Sequence, residues 1–334
     1  MDKQHPTPDV TVRLDDRIRL ISAVLAATDW PNKAYERRPH LAHAHARATR
    51  KFLAEHQSHD AVRTMQNLLD QGAPLEALYT FVMVLSWPSL ETKALPRWVP
   101  PRWHQQLRDF YDKTGLEQWW KEEADEWNKS LSESRKMFEK VSFKPFLQPF
   151  LGEIPEDLIF VPNISYPAEQ EVGIRLGKEL IAIAPPRLAW GESAPWPFDE
   201  DPGHVYRAAI SQFGRILLLT QLRANGERVA EASKTALPIS EQLAALHPSW
   251  EDQFITLFIA GAVAIYLEDH ISKAEAQAYV LMERKTRGMT VLAGTVSVLR
   301  RYLSEQQNGR YNGLLDFLPL FPKQLRVAKR IVSI

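Results

Sequence analysis

The sequence predicts an α+β fold that is predominantly α-helical, and three observations lead there. Prolines number 23 and glycines only 14, and the prolines fall in clusters that leave long intervening segments free to be helical. Within those segments apolar residues recur three and four positions apart. Between them, after Pro149, the texture changes to short runs of period-two alternation joined by a tight-turn signal, so a small sheet of about three strands is expected between two helical stretches.

The first helix is expected over Asp16–Thr28, capped by Asp15 or Asp16, with Ile18, Ile21 and Leu25 at helical spacing and Leu20 and Val24 widening the stripe. Ala42–Glu55, His59–Gln71 and Leu75–Leu85 follow, the last with Pro74 beside its start, where a missing N–H costs nothing. Trp103–Val141 reads as one long helix or two joined near Thr114-Gly115, and Trp119, Trp120, Trp127, Leu131 and Phe138 give it an aromatic stripe that reads as core. Asp157–Val161 and Glu171–Ile183 read as strands, with Leu176-Gly177-Lys178-Glu179 as a hairpin tip. After the loop WGESAPWPFDEDP a strong helix is expected over His204–Arg223, ended by Asn225-Gly226. Three more are expected over Trp250–Ile271, Lys273–Arg287 and Val291–Ser304. The uncharged run Gln253–Leu267 is shorter than the ~20 residues that span a bilayer, so it predicts a buried core helix.

Composition closes off several function classes. Lys plus Arg is 41 and Asp plus Glu is 41, so balanced charge gives no electrostatic reason to expect nucleic acid or a membrane as a partner. There is no cysteine, which excludes disulfides, thiolate metal sites, Fe–S clusters and a cysteine nucleophile. The opening Met1-Asp2-Lys3-Gln4-His5-Pro6 lacks the apolar core of a signal peptide, so a soluble, cytoplasmic protein is expected. No Gly-x-Ser-x-Gly, P-loop or Gly-x-Gly-x-x-Gly occurs, and Gly173-Ile174-Arg175-Leu176-Gly177 has the wrong spacing for a dinucleotide loop.

Several stretches together resemble a known group. VTVRLDDRIRLISAVLAATDW near the start, FVPN followed by an apolar hairpin in the middle, and LRRYLSEQQNGRYNGLLDFLPLF near the end resemble the gluzincin-like metallopeptidase-type proteins of bacteria, a domain of unknown function. The resemblance implies a short strand opening the first of these stretches, a sheet that precedes a metal-binding helix, and a division into a helical region over 1–149 and a zincin-like region over 150–334, or one integrated domain. Pro88–Pro101 is then a linker or an internal loop.

The departure from that pattern is specific. Zincins carry His-Glu-x-x-His because residues four apart share a helix face, so two imidazoles reach one Zn²⁺ while the Glu acts as general base. The matching helix here begins His204-Val205-Tyr206-Arg207-Ala208. His204 fills the first position, Val205 stands where the base belongs, Ala208 where the second His belongs, and the position resembling the third ligand lies near Leu257. Valine accepts no proton and alanine ligates no metal. The expectation is a zincin fold without its zinc: a noncatalytic protein with no cofactor, acting as an interaction module for a peptide or protein. Its groove would be lined by Glu171–Ile183 and the His204 helix, since strand addition uses backbone groups and needs no metal. The rival is a hydrolase with a non-standard site at His204, either metal-bound or working by acid–base chemistry with Tyr206 and Asp201.

Other constellations are open to two readings. His40, His43, His45, His56 and His59 are close in sequence, and the pairs His40/His43 and His56/His59 are each one turn apart, a spacing that suits a shared metal. Arg37, Arg38, Arg47, Arg50 and Lys51 around them predict a polar helix surface instead. Glu122/Glu123, Asp125/Glu126, Glu251/Asp252 and Glu268/Asp269 are adjacent on helices and so do not face each other. Asp199-Glu200-Asp201 suits the positive end of the His204 helix. The basic residues Arg284, Lys285, Arg287, Lys323, Arg326, Lys329 and Arg330 read as solvated helix faces, the last four also as a surface for an acidic partner.

Overall fold

A computed structural model describes residues 7–37, 42–188 and 192–332. Among them are seventeen α-helices and one four-stranded sheet, an α+β architecture dominated by helix. The chain divides into two compact units. One unit is Met1–Val141 with Glu156–Val205; the other is Ser142–Pro155 with Tyr206–Ile334. The sheet therefore belongs with the N-terminal helices.

The reason is a strand that period-two reading is too coarse to find. The three residues Val10–Val12 (β1) pair in parallel with Asp157–Pro162 (β2), and β2 pairs in parallel with Glu179–Ala184 (β4). Val172–Leu176 (β3) closes the order β1-β2-β4-β3 as the only antiparallel strand. DLIFVP and ELIAIA are nearly all apolar, as strands buried on both faces must be. Gly177, at φ +58, turns the β3–β4 hairpin in a region that favours glycine.

Helices cover both faces. The chain first forms α1 (Asp16–Ala27), α2 (Trp30–Arg37), α3 (Ala44–Phe52), α4 (Asp60–Asp70) and α5 (Leu75–Met83). Asp15 caps α1 by accepting from the Arg17 N–H at 3.0 Å. Ile159, Val161, Ile174, Ile181 and Ile183 join α1 and α5 in one buried core. The stretch 103–141 breaks at Gly115 (φ 68), where the two-helix reading joins its halves, and again at Glu123, giving three helices: α6 (Trp103–Thr114), α7 (Leu116–Glu122) and α8 (Ala124–Phe138). The opposite face of the sheet rests on α8, where Phe160 meets Phe138 at 4.9 Å between ring centroids. Leu90 and Val99 are buried in the core of this unit, so Pro88–Pro101 is a loop within it rather than a linker. A buried network ties sheet to helix: Tyr79 donates its hydroxyl to the Tyr166 carbonyl at 2.9 Å and lies 2.8 Å from Ser22 Oγ, while Asn163 donates to both Ser22 and Tyr166.

The second unit contains α9 (Lys144–Leu151), most of α10 (Pro202–Ala224), α11 (Gly226–Ser233), α12 (Glu241–Leu246), α13 (Trp250–His270), α14 (Lys273–Arg287), α15 (Leu292–Gln307), α16 (Leu314–Phe317) and α17 (Phe321–Val332). Helix α13 is long and apolar enough to cross a membrane by length and composition, yet every residue from Phe254 to Leu267 is buried within the protein. It is the core helix that the uncharged run predicts. Phe150 seats against Phe258 at 5.2 Å and Tyr302 at 5.7 Å, and the Tyr302 hydroxyl donates to the Pro149 carbonyl at 2.8 Å. Helices α13 and α15 touch at Gly261, where an added Cβ would lie 2.7 Å from Leu299 Cδ1 and 2.9 Å from Thr295 Cγ2. Gly261→Val is expected to lower stability by about 1–3 kcal/mol through overpacking, read as a lowered urea midpoint with unchanged slope.

Candidate functional site

The helix singled out by sequence begins where expected. Asp201 precedes α10, and its Oδ1 accepts the backbone N–H of His204 at 2.9 Å while its Oδ2 pairs with Arg187 at 3.0 Å. Both carboxylate oxygens are thus engaged in holding the helix start and a loop arginine. The ring of His204 lies 2.9 Å by its Nε2 from the carbonyl of Pro185, just beyond β4. A carbonyl only accepts, so Nε2 carries the proton. Asp201 and His204 come together, but by carboxylate to backbone and not by carboxylate to imidazole.

The neighbouring positions are apolar and enclosed. Val205 is 1% exposed, and Ala208 and Leu257 are 0% exposed. Tyr206 is also buried; it packs edge-on against Phe143 and Tyr266, and burial pushes its hydroxyl up to about 12. A phenol so placed holds its proton and serves packing. Among the described residues no group of three or more His, Asp or Glu side chains is arranged to hold a metal ion.

At the sheet edge, the two-residue hairpin makes Leu176/Glu179 a hydrogen-bonded pair. By alternation Ile174/Ile181 and Val172/Ile183 are too, which turns the backbone N–H and C=O of half-buried Gly173 to the outer side of β3. No described strand pairs with that side.

The histidines divide differently from the surface reading. His40 lies outside the described residues. His59 caps α4, its Nδ1 accepting from the Ala61 N–H at 3.2 Å and its Nε2 lying 3.1 Å from Asp109, and His56 stands edge-on to Phe110. His43 and His45 are buried, at 2% and 8% exposure, and not on a polar surface. They start α3, whose first turn is folded into the unit: Ala44 donates its N–H to the Ser193 carbonyl at 2.8 Å, and His43 Nδ1 accepts from the Ala46 N–H at 3.2 Å.

Around them the structure assembles groups from distant parts of the chain. Arg19 of α1 lies with its guanidinium carbon 4.3 Å from the centre of the Trp120 ring and 4.6 Å from that of Trp127. Its Nη1 is 3.1 Å from Asp16 Oδ1. His45 stands edge-on to Trp127 at 6.0 Å, and its Nε2 is 3.4 Å from Glu123 Oε2 without hydrogen-bond alignment. Burial dominates the electrostatics. It holds the imidazoles of His43 and His45 down to about 3 and about 4, helped by Arg47 at the first and Arg19 at the second. It pushes the Glu123 carboxyl up to about 8 against the pull of Arg19, and it lowers Arg19 itself. Opposed shifts in one buried cluster are a mark of functional sites. The aromatic stripe is therefore core, as expected for Trp120, Trp127 and Phe138, while two of its indoles also sandwich a cation.

Comparison with family models, curated proteins and solved structures finds no match to this chain.

Proposed function

We propose that this chain is a noncatalytic, zincin-like binding protein of the cytoplasm that takes up an extended peptide along β3. One observation carries the reading. The positions that would supply the general base and the second imidazole, Val205 and Ala208, are aliphatic and sealed in packed core at 1% and 0% exposure. The sheet is consistent with it, since its single antiparallel strand lies at an edge and leaves one side of that strand unpaired among the described residues. Strand addition draws on main-chain groups such as those of Gly173, with alternate side chains giving selectivity.

The rival hydrolase, built on His204, Tyr206 and Asp201, lacks support from the geometry, because the Asp201 carboxylate is spent on a backbone N–H and on Arg187. The test is selection of ligands from a displayed library of random dodecapeptides, followed by binding to the Gly173→Pro variant. Selected peptides are expected to lose affinity at least tenfold in that variant, whose edge has lost a donor. Undiminished binding, or a library that yields no binder, overturns the peptide reading. One equivalent of zinc on the purified protein, absent from His204→Ala, overturns the noncatalytic one.

A further inference from the structure

We propose that the enclosed cluster of Arg19, His43, His45, Trp120 and Trp127 is a binding site for a small oxyanion, a carboxylate or a phosphate. Arg19 Nε and Nη2, Trp127 Nε1 and His43 Nε2 are all sealed from solvent and have no hydrogen-bond partner. An indole nitrogen and a guanidinium only donate, and because His43 Nδ1 accepts from Ala46, its Nε2 is the protonated nitrogen. Four unpaired N–H donors therefore lie in one run, linked by ring-to-ring distances of 6.3 Å from His43 to His45 and 6.0 Å from His45 to Trp127, with Arg19 stacked on Trp127 at 4.6 Å.

Buried donors without acceptors are rare in folded proteins because each forfeits its bonds to water. The acceptors facing them are already committed or lack charge. Asp16 holds Arg19 Nη1, and Glu123, which burial keeps protonated near neutral pH, offers no full negative charge. An oxyanion fits this imbalance. It meets the unpaired edge of the guanidinium in the two-point fashion that favours arginine, and its remaining lone pairs can take indole and imidazole N–H groups. The protonated Glu123 does not repel it. Arg47, which adds to the positive field at His43, favours the same charge.

The test uses the full chain in sodium acetate, sodium phosphate or sodium chloride at equal ionic strength. The readouts are the melting temperature and the imidazole nitrogen resonances of His43 and His45. Acetate or phosphate at tens of millimolar is expected to raise the melting temperature by several degrees over chloride. The same anion should shift the imidazole nitrogen resonances of both residues at pH 6.5, and whichever is effective names the source, carboxylate or phosphoryl. Arg19→Leu is expected to abolish the response. Should that variant not fold, Trp127→Phe, which keeps the ring and loses one donor, should weaken the anion about tenfold with an unchanged circular dichroism spectrum. Equal behaviour in all three salts, or a full response in Trp127→Phe, overturns the assignment.

Discussion

Acidification below pH 6.5 is expected to destabilise this protein, with thermal stability greatest near pH 6.5. In the unfolded chain His43 and His45 take up protons near 6.5, but folded they are held down to about 3 and about 4. The unfolded state then binds up to two more protons, so the stability these residues contribute is complete above 6.5 and is lost as pH falls toward those values. Each contributes a slope of at most about 1.4 kcal/mol per pH unit. Glu123 runs the other way, its carboxyl raised from 4.5 to about 8 by burial, so its contribution is present below 4.5 and is lost as pH rises through 8. Between 4.5 and 6.5 two histidines oppose one glutamate and stability climbs; above 6.5 the glutamate alone remains and stability declines. Melting curves should show a maximum with limbs of similar slope between pH 4.5 and 8 and a steeper fall just below 4.5, and His43→Gln with His45→Gln should abolish the rise between 4.5 and 6.5. A melting temperature constant between pH 4.5 and 7 would refute the assignment of two buried neutral imidazoles.

Rebuilding the missing motif is expected to damage the protein instead of activating it. In the double variant Val205→Glu with Ala208→His, a carboxylate and an imidazole replace side chains at 1% and 0% exposure, without partners and without room. Burying an unpaired polar group and overfilling a core each carry costs of a few kcal/mol, so a combined loss of about 4–6 kcal/mol is expected. Chemical denaturation with and without one equivalent of zinc measures it. A variant as stable as the parent, or one that zinc restores with nanomolar affinity, would mean that these positions open onto a site after all, and the packing argument would fail.

Much of the fold was legible because it rests on local patterns. Lys273–Arg287 is capped by Ser272 and ended by Gly288 in the left-handed region, as a helix bounded by those residue types should be. The hairpin announced itself through Gly177 between alternating strands, and the core helix α13 through its uncharged run. Three residues of β1 gave no comparable signal, because a strand that short has no period to detect. Its pairing with β2 is what ties the sheet to the N-terminal helices. The break at Glu123 was also hidden, since nothing in Lys121-Glu122-Glu123-Ala124 forbids helix.

The candidate sites divide in the same way. The aliphatic residues at Val205 and Ala208 were plain in the sequence, because a residue type alone decides whether a proton or a metal can be held. Exposure reversed the reading of His43 and His45: flanking arginines argue for water, but the turn they begin is anchored inward through Ser193. Glu123 and Trp127 are one helical turn apart, but Arg19 lies on α1, more than a hundred residues away, and no spacing rule brings it to them. Sequence by itself determined the longer helices, the hairpin and the chemistry that each position is capable of. Tertiary structure alone decided which side chains lost their water and which met one another, because desolvation and proximity belong to the folded chain.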